Sequence, residues 1–247
     1  MPRALLFLFA LLAALGVRAG EVQVAAAANL GPAIQKIADG FARGTGHRAV
    51  IALGSTGRFY AQVRNGAPFE VLLAADQETP AKLESEGLAV AGSRFTYAVG
   101  RLVLWSAQDG VVDPRGELLR QPPAGKLAIA DARVAPYGRA ALETLGSLGV
   151  LAAWQPHLVQ AENIAQAHQF VASGNARIGF VALSQVVEQG RIARGSGWIV
   201  PEQVHAPIRQ DAALLVRGAR NEAATAFLAY LRGDAARAVL RDAGYGL

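Results

Sequence analysis

Short apolar runs of strand character alternate with amphipathic runs of helical period along almost the whole 247-residue chain. That alternation restricts the fold to α/β layers with mostly parallel strands. The first unit sets the pattern: a strand-type run over 22–28, a small turn through Asn29, Leu30 and Gly31, and an amphipathic run over 33–41. Pro32 stands where the first helical residue belongs, because the N–H it lacks would have no partner there. Unpaired N–H groups at this helix start lie beside Asn29. The small side chains of Ala25, Ala26, Ala27 and Ala28 let a ligand come close to the backbone, and the helix dipole favours an anion. The turn is a candidate half of an anion site.

The second unit repeats this logic, with a strand over 49–53, the turn Gly54-Ser55-Thr56-Gly57, and a helix over 58–65 stopped by Gly66. A buried strand over 69–74 follows, and Thr79-Pro80 opens a helix that Gly87 closes. Residues 95–106 read as one long alternating strand broken at Gly100, able to carry the chain from one domain to another. Beyond a loop over 109–123 come a strand over 126–130, a connection over 131–138 and a helix over 139–148. A strand over 159–161 leads to Asn163 as N-cap of a helix over 164–173. A strand over 177–183, a brief helix over 184–189, an edge segment over 197–200 and a last strand over 211–216 precede two helices, 221–231 and 234–243. No Pro/Gly/Ser tether divides the sequence, so two lobes joined by crossing strands are expected rather than two separate beads.

Residues 1–19 stand apart from this pattern. Arg3 precedes an apolar run over 4–17, and Val17-Arg18-Ala19 is a small-x-small processing pattern, so a secretory signal cut after Ala19 is expected. The run is short for a retained membrane span. Its removal leaves 22 basic residues against 19 acidic ones, a net charge of +3 instead of +5. There is no Lys/Arg block and no interleaving of aromatic with basic residues, so a nucleic-acid partner is not expected. The chain has no cysteine, which excludes disulfides, thiolate metal sites and a lipid-modified cysteine. A soluble protein of a periplasm-like space is expected.

Four polar, uncharged turns fall between a strand and a helix: Asn29, Ser55-Thr56, Pro136-Tyr137-Gly138 and Asn163-Ile164. Ligands of open α/β sheets bind outside the carboxyl ends of the strands, where such turns lie. Each turn offers amide, hydroxyl or backbone N–H donors, and none carries a carboxylate or a lysine. A phosphate that retains a proton needs an acceptor, whereas a fully deprotonated tetrahedral oxyanion needs donors only; the set suits the latter. Taken singly, Asn29, Ser55 and Asn163 are better explained as helix caps, and it is the set that points to a ligand.

Enzymatic readings find less support. His47, His157 and His205 occupy positions expected at the surface, His168 lies inside a helix, and the four show no metal-ligand spacing. Asp76, Glu78, Glu84 and Glu86 fit helix-start and solvated-face roles. Gly54-Ser55-Thr56-Gly57 is neither a P-loop nor a nucleophile elbow. Phe59, Tyr60 and Trp154 are expected in packing.

Several of these stretches together carry a resemblance. Ala26-Ala27-Ala28-Asn29-Leu30, Gly54-Ser55-Thr56-Gly57, the segment from Asn65 to Val71 with Ala74-Ala75-Asp76, the segment from Ser93 to Gly100, Ala135-Pro136-Tyr137-Gly138 and Gly179-Phe180-Val181-Ala182-Leu183 resemble the periplasmic molybdate-binding proteins of ABC transporters. The resemblance implies a two-lobe periplasmic binding fold of type II, each lobe a mixed sheet flanked by helices, with the ligand cleft between lobes. Lobe 1 would take residues 20–101 and 210–247 and lobe 2 residues 102–209, with crossings near 100–103 and 208–211. The implied oxyanion ligands are Asn29 with the backbone at Ala28, the Ser55-Thr56 turn, Tyr137 and the backbone N–H of Ile164. Two departures stand out: Asn29 replaces a serine common in the family, and Ala182 replaces a tyrosine whose hydroxyl Tyr137 would supply. The implied protein is a monomeric receptor that captures molybdate, and tungstate with it, and delivers it to a membrane permease. It makes or breaks no bond, has no cofactor, meets molybdenum only as the oxyanion, and excludes sulfate by cavity size. The competing expectations are a receptor for sulfate or another tetrahedral oxyanion, and a hydrolase using Asp76 or His168, for which the sequence shows no nucleophile-base-orienter pattern.

Overall fold

The computed structural model describes residues 19–247; the expected signal segment, apart from Ala19, lies outside the described residues. In chain order the elements are β1 (Glu21–Ala27), α1 (Gly31–Thr45), β2 (Arg48–Gly54), α2 (Thr56–Arg64), β3 (Val71–Leu73), α3 (Glu78–Ser85), β4 (Phe95–Gly100), β5 (Leu102–Ser106), β6 (Leu127–Ala130), α4 (Pro136–Ser147), α5 (Leu151–Trp154), β7 (Leu158–Ala161), α6 (Ile164–Ala172), β8 (Ile178–Ala182), β9 (Val187–Glu188), β10 (Arg191–Ile192), β11 (Ser196–Ile199), β12 (Ile208–Leu214), α7 (Glu222–Arg232) and α8 (Asp234–Asp242). Between β1 and α1 the chain makes one 3-10 turn, Ala28–Leu30.

Two five-stranded sheets result, ordered β2-β1-β3-β12-β4 and β11-β5-β8-β6-β7. Each is mixed, as the family resemblance implies, and this corrects only the reading of mostly parallel strands from the alternation of elements. The strands joined by helices pair in parallel, β1 with β2 and β3, and β6 with β7 and β8. The strands that arrive from the other lobe run antiparallel to their neighbours, β12 against β3 and β4, and β5 against β8 and β11. A helical crossover returns the chain in the same direction, and a direct passage between sheets does not.

The long strand over 95–106 is divided between the sheets at Arg101, so β4 and β5 form the first crossing. Residues 200–207 make the return, because β12 already begins at Ile208, paired with Gly100. The last strand therefore starts three residues before the sequence pattern placed it, since Arg209 and Gln210 break the apolar run. A register shift between Gln210 and Asp211 turns both of these polar residues into the interior, where they are 0% and 1% exposed.

Each sheet is covered on both faces. On the first, α1, α7 and α8 pack Ile34, Ile37, Phe41, Phe227 and Leu240 on one face, and α2 and α3 place Phe59, Val63 and Leu83 on the other. On the second, Leu104, Ile129, Leu145, Trp154 and Phe180 fill one face, and Val103, Trp105, Val171 and Val181 the other. Phe59 and Trp154 are thus core residues as expected; half-buried Tyr60 carries Lys82 and Arg64 over its ring.

Four local expectations are corrected. The helix after β6 begins at Pro136, not at residue 139, so Tyr137 lies in its first turn. The segment over 184–189 is a 3-10 turn and the first strand of a β9–β10 hairpin, which Gln189 and Gly190 close with φ of 51° and 78°. Helix α5 gave no separate sequence signal. His47 and His205 are buried at 7% exposure: His47 Nδ1 accepts from Gly20 N–H, and His205 Nδ1 bonds the Ala206 carbonyl.

Phe41 is fully buried and packs edge-on against Phe227 and Tyr230. Phe41→Ala is expected to lower stability by about 3–5 kcal/mol, the usual loss for truncating a buried phenylalanine. Denaturant unfolding followed by circular dichroism measures it, and a loss below about 1 kcal/mol would contradict the packing described.

Candidate functional site

All four polar turns meet at one small cavity between the sheets. From the first lobe Ala28, Asn29, Ser55 and Thr56 line it, and from the second Tyr137, Asn163 and Ile164. Every residue that the sequence singled out as a ligand is at this cavity. Its free volume of about 10 Å³ is far below the roughly 300–1,000 Å³ of pockets that take organic molecules.

The parallel strands explain the convergence. β1, β2, β6 and β7 all end here, and the helix after each starts here. Pro136 occupies the first turn of α4. Asn163 caps α6, its Oδ1 accepting from the N–H groups of Ala165 and Gln166 at 3.0 Å each. That cap leaves out the N–H of Ile164, the first helical residue. Asn163 is therefore the cap that its position allowed, whereas Asn29 and Ser55 make no side-chain cap bond to a helix.

Ser55 and Thr56 are distinguished by their partners. Thr56 Oγ1 accepts from Ala75 N–H at 2.9 Å, while Ser55 Oγ is buried and bonds nothing. Among the described residues three buried side-chain polar atoms lack a partner: Ser55 Oγ, Asn29 Oδ1 and His205 Nε2. Two of the three belong to cavity residues. An unpaired buried polar group costs about 1–3 kcal/mol, so their concentration at one cavity marks the place of a polar ligand.

Behind the cavity lies a buried network that the sequence did not disclose. Asn29 Nδ2 donates to Gln210 Oε1 and to Tyr245 Oη, each at 2.9 Å. Gln210 Nε2 donates to Tyr137 Oη at 3.2 Å, and Tyr97 Oη lies 3.0 Å from Gln210 Oε1 and 2.9 Å from the Ala74 carbonyl. Tyr245 Oη and Ser184 Oγ both donate to the Asn29 carbonyl, at 2.9 and 2.8 Å. Asn29 thus presents an acceptor, Oδ1, where the sequence reading had donors only. Gly100 has a second role besides breaking the strand: a Cβ there would lie 2.1 Å from Tyr137 Oη and 2.4 Å from Gln210 Nε2. Burial raises the hydroxyl pKa of Tyr137 and of Tyr97 well above the ordinary phenol value and that of Tyr245 to about 12. All three therefore keep their protons throughout the neutral range.

The lobes touch around the cavity. Gly57 N–H donates to the Val134 carbonyl at 2.9 Å, Arg58 pairs with Glu162 at 2.8 Å, and Arg139 pairs with Asp76 at 3.2 Å. No charged side chain lines the cavity. Asp76 lies outside it. Burial raises its carboxyl pKa, and the Thr79 N–H, the Thr79 hydroxyl and Arg139 partly offset that shift. His168 is away from the cavity, stacked on Trp105 at 4.9 Å, and burial lowers its pKa. Neither residue of the hydrolase reading lines the cavity.

A family model described as bacterial extracellular solute-binding protein matches residues 22–246. The chain belongs to that family. Molybdate-binding protein ModA of Azotobacter vinelandii is 52% identical over 247 residues, covering 100% of this chain and 98% of the relative. The protein of the same name from Rhodobacter capsulatus is 47% identical over 233 residues, covering 94% and 90%. Among solved structures, the Azotobacter vinelandii periplasmic molybdate-binding protein superposes with a TM-score of 0.88 at 41% identity, covering 92% of this chain and 99% of that one. The mixed two-lobe α/β architecture is that of this family, and a solute-binding role places no catalytic demand on Asp76 or His168.

The orphaned hydroxyl separates two neighbouring residues experimentally. Ser55→Ala is expected to weaken anion binding about 10- to 100-fold, the ~1.5–3 kcal/mol of a hydrogen bond to a charged group, while leaving the melting temperature of the anion-free protein unchanged or higher. Thr56→Val should lower that melting temperature, because the buried Ala75 N–H loses its acceptor. Calorimetric titration and scanning calorimetry read the two effects; equal behaviour of the two variants would overturn the assignment.

Proposed function

We propose that this protein is the periplasmic receptor of an ABC transporter, capturing molybdate, and tungstate with it, between its lobes and delivering it to the membrane permease. The observation that carries the reading is the uncharged cavity, where strand ends and helix starts from both lobes converge and where Ser55 Oγ lies buried without a partner. The high identity to ModA proteins over the full chain supports molybdate as the ligand. Neutral donors hold such an anion by dipoles already aimed at it, and their effect grows in a dry, low-dielectric cleft. The protein transports and does not catalyse; a sulfate receptor is the less favoured alternative.

The proposed ligands are the backbone at Ala28 with Asn29, the Ser55 hydroxyl with the N–H groups of the Ser55-Thr56 turn, Tyr137, and the Ile164 N–H. Support comes from their shared position at the cavity, from the Asn163 cap that omits Ile164, and from the orphaned Ser55 hydroxyl. The lobes we propose are residues 20–101 with 210–247 and residues 102–209, a division that the two sheets support to within a few residues of the return crossing. Secretion through a signal segment, function as a monomer and the absence of a nucleic-acid partner belong to the same reading. No helix among the described residues is long and apolar enough to cross a membrane.

Calorimetric titration of the anion-stripped mature protein with molybdate, sulfate and phosphate tests the function. Tight one-to-one binding of molybdate with the other two silent is expected; heat from sulfate or phosphate alone would sink the molybdate assignment. Closure has its own test. A Cβ on Gly57 would lie 2.9 Å from Val134 Cα in the opposite lobe, so Gly57→Val should hold the lobes apart. Affinity is expected to fall at least about tenfold with the anion-free melting temperature within a few degrees of the parent; unchanged affinity would show that capture does not need this contact.

A further inference from the structure

Gln210 is fully buried, lies on the crossing strand β12 behind the cavity, and bonds two cavity residues from different lobes, Asn29 and Tyr137. Its amide has one accepting end and one donating end. In the arrangement present, the oxygen faces Asn29 and the nitrogen faces Tyr137. Asn29 has therefore spent its Nδ2 protons on Gln210 and Tyr245 and turns Oδ1, without a partner, to its remaining side. Tyr137 receives a proton from Gln210 and keeps its own for the cavity.

A half-turn of an amide about its last torsion exchanges nitrogen and oxygen with almost no change of shape. If Asn29 alone turned over, two amide oxygens would face each other, so Asn29 and Gln210 must turn together. The network accommodates the paired turn. The Asn29 carbonyl keeps the Ser184 proton, which frees the Tyr245 proton for Asn29 Oδ1. Tyr97 keeps the Ala74 carbonyl as its acceptor. Gln210 Nε2 then faces Asn29 Oδ1, Gln210 Oε1 takes the Tyr137 proton, and Asn29 Nδ2 points where the orphaned oxygen was. No buried atom of Asn29 remains unpaired once an anion accepts that N–H.

We propose that Gln210 is a positioning residue that makes Asn29 and Tyr137 alternative donors, so that one of them, and never both, presents a side-chain proton to the anion. The sense present offers the cavity the Tyr137 proton beside the unpartnered acceptor of Asn29; the reversed sense offers a proton-free oxyanion only a donor from Asn29. The inference rests on the oxyanion reading of the cavity and adds the residue that sets its donor pattern.

Alternative donors are redundant, and simultaneous donors are not. Molybdate and sulfate are titrated into the parent, Asn29→Ala, Tyr137→Phe and the double variant, with the melting temperature of each anion-free protein measured alongside. Each single variant is expected to lose about fivefold or less, since the other residue takes over, and the double variant at least about 100-fold, well beyond the product of the singles. The same cycle in a Gln210→Met background should become multiplicative, because nothing then couples the two donors. Losses that multiply in the parent background, or redundancy that survives Gln210→Met, would overturn the proposal; a purely structural role for Gln210 would lower the melting temperature without changing the coupling. Should Gln210→Met not fold, Gln210→Glu replaces it: its ionised carboxylate accepts from both residues, so affinity should fall at least about 30-fold between pH 6 and 9 while the parent stays flat, and a flat profile would overturn the proposal. If the parent binds sulfate and not molybdate, the molybdate assignment fails while the sulfate cycle still decides on Gln210; if it binds neither, both fall.

Discussion

A dianion enclosed by uncharged walls can be held only by dipoles fixed in advance, and that requirement accounts for most of the architecture. Helix starts supply such dipoles as unpaired N–H groups, and a parallel strand followed by a helix delivers one at its carboxyl end. Two lobes that each contribute two such units surround an ion from opposite sides. Neither lobe alone could do so, because all its helix starts lie along one edge of its sheet. Pro136, which occupies the first helical turn of α4, and Asn163, which caps α6 yet leaves out Ile164, are local solutions to the same problem.

The antiparallel crossing strands solve a second one. Holding the cavity side chains still takes buried polar partners, and polar partners in the interior must themselves be satisfied. The bulge at Gln210 and Asp211 brings both side chains inward. Asp211 accepts from Arg94, Thr96 and Gln77 on the first-lobe side, while Gln210 reaches across to Tyr137. Gly100, paired with Ile208 on the neighbouring strand, leaves the space this requires, since a Cβ there would lie 2.4 Å from Gln210 Nε2. The crossing between the two lobes and the support of the cavity are thus one structure, so the cavity residues of both lobes are referred to a common origin.

How much of this was legible follows from where each residue's partners lie in the chain. Asn29, Ser55-Thr56, Tyr137 and Ile164 each sit between a strand signal and a helix signal, and the physics of helix starts is local. The crossing at Gly100 could be read because a glycine interrupts an alternating run. Gln210 and Tyr245 could not be found in this way: their bonds to Asn29 span 181 and 216 residues, and a glutamine in a strand or a tyrosine near the chain end has no local signature of function. Arg209 and Gln210 even masked the start of β12, since polar residues in a buried strand make sense only once the network is known. The mixed strand direction was hidden for a related reason, as the alternation of elements does not say which connections return by a helix and which cross between lobes. His47 and His205 were expected at the surface because turn composition predicts exposure on average, and tertiary packing overrode it.

The contacts between lobes differ in kind from those within them. Within each lobe, continuous apolar layers bury phenylalanine, leucine and valine. Around the cavity, the lobes meet through one backbone hydrogen bond at Gly57, the ion pairs Arg58–Glu162 and Arg139–Asp76, the hydroxyl of Ser184, the Gln210–Tyr137 bond and only small apolar side chains, Ala27, Ala28 and Ala75, against the second core. Arg58 and Glu162 are about half exposed, 49% and 56%, and such a pair contributes roughly 0–1 kcal/mol. Contacts of this strength align the lobes without welding them. On the proposed reading, the closed arrangement draws its margin from an ion bridging donors of both lobes, and a ligand that engages both sets at once shifts the balance by the full difference between its closed and open contacts. An apolar seam of core quality would have held the cleft shut whether filled or empty. The sparse polar seam leaves the decision to the anion, as a receptor that must first capture its cargo and later release it requires.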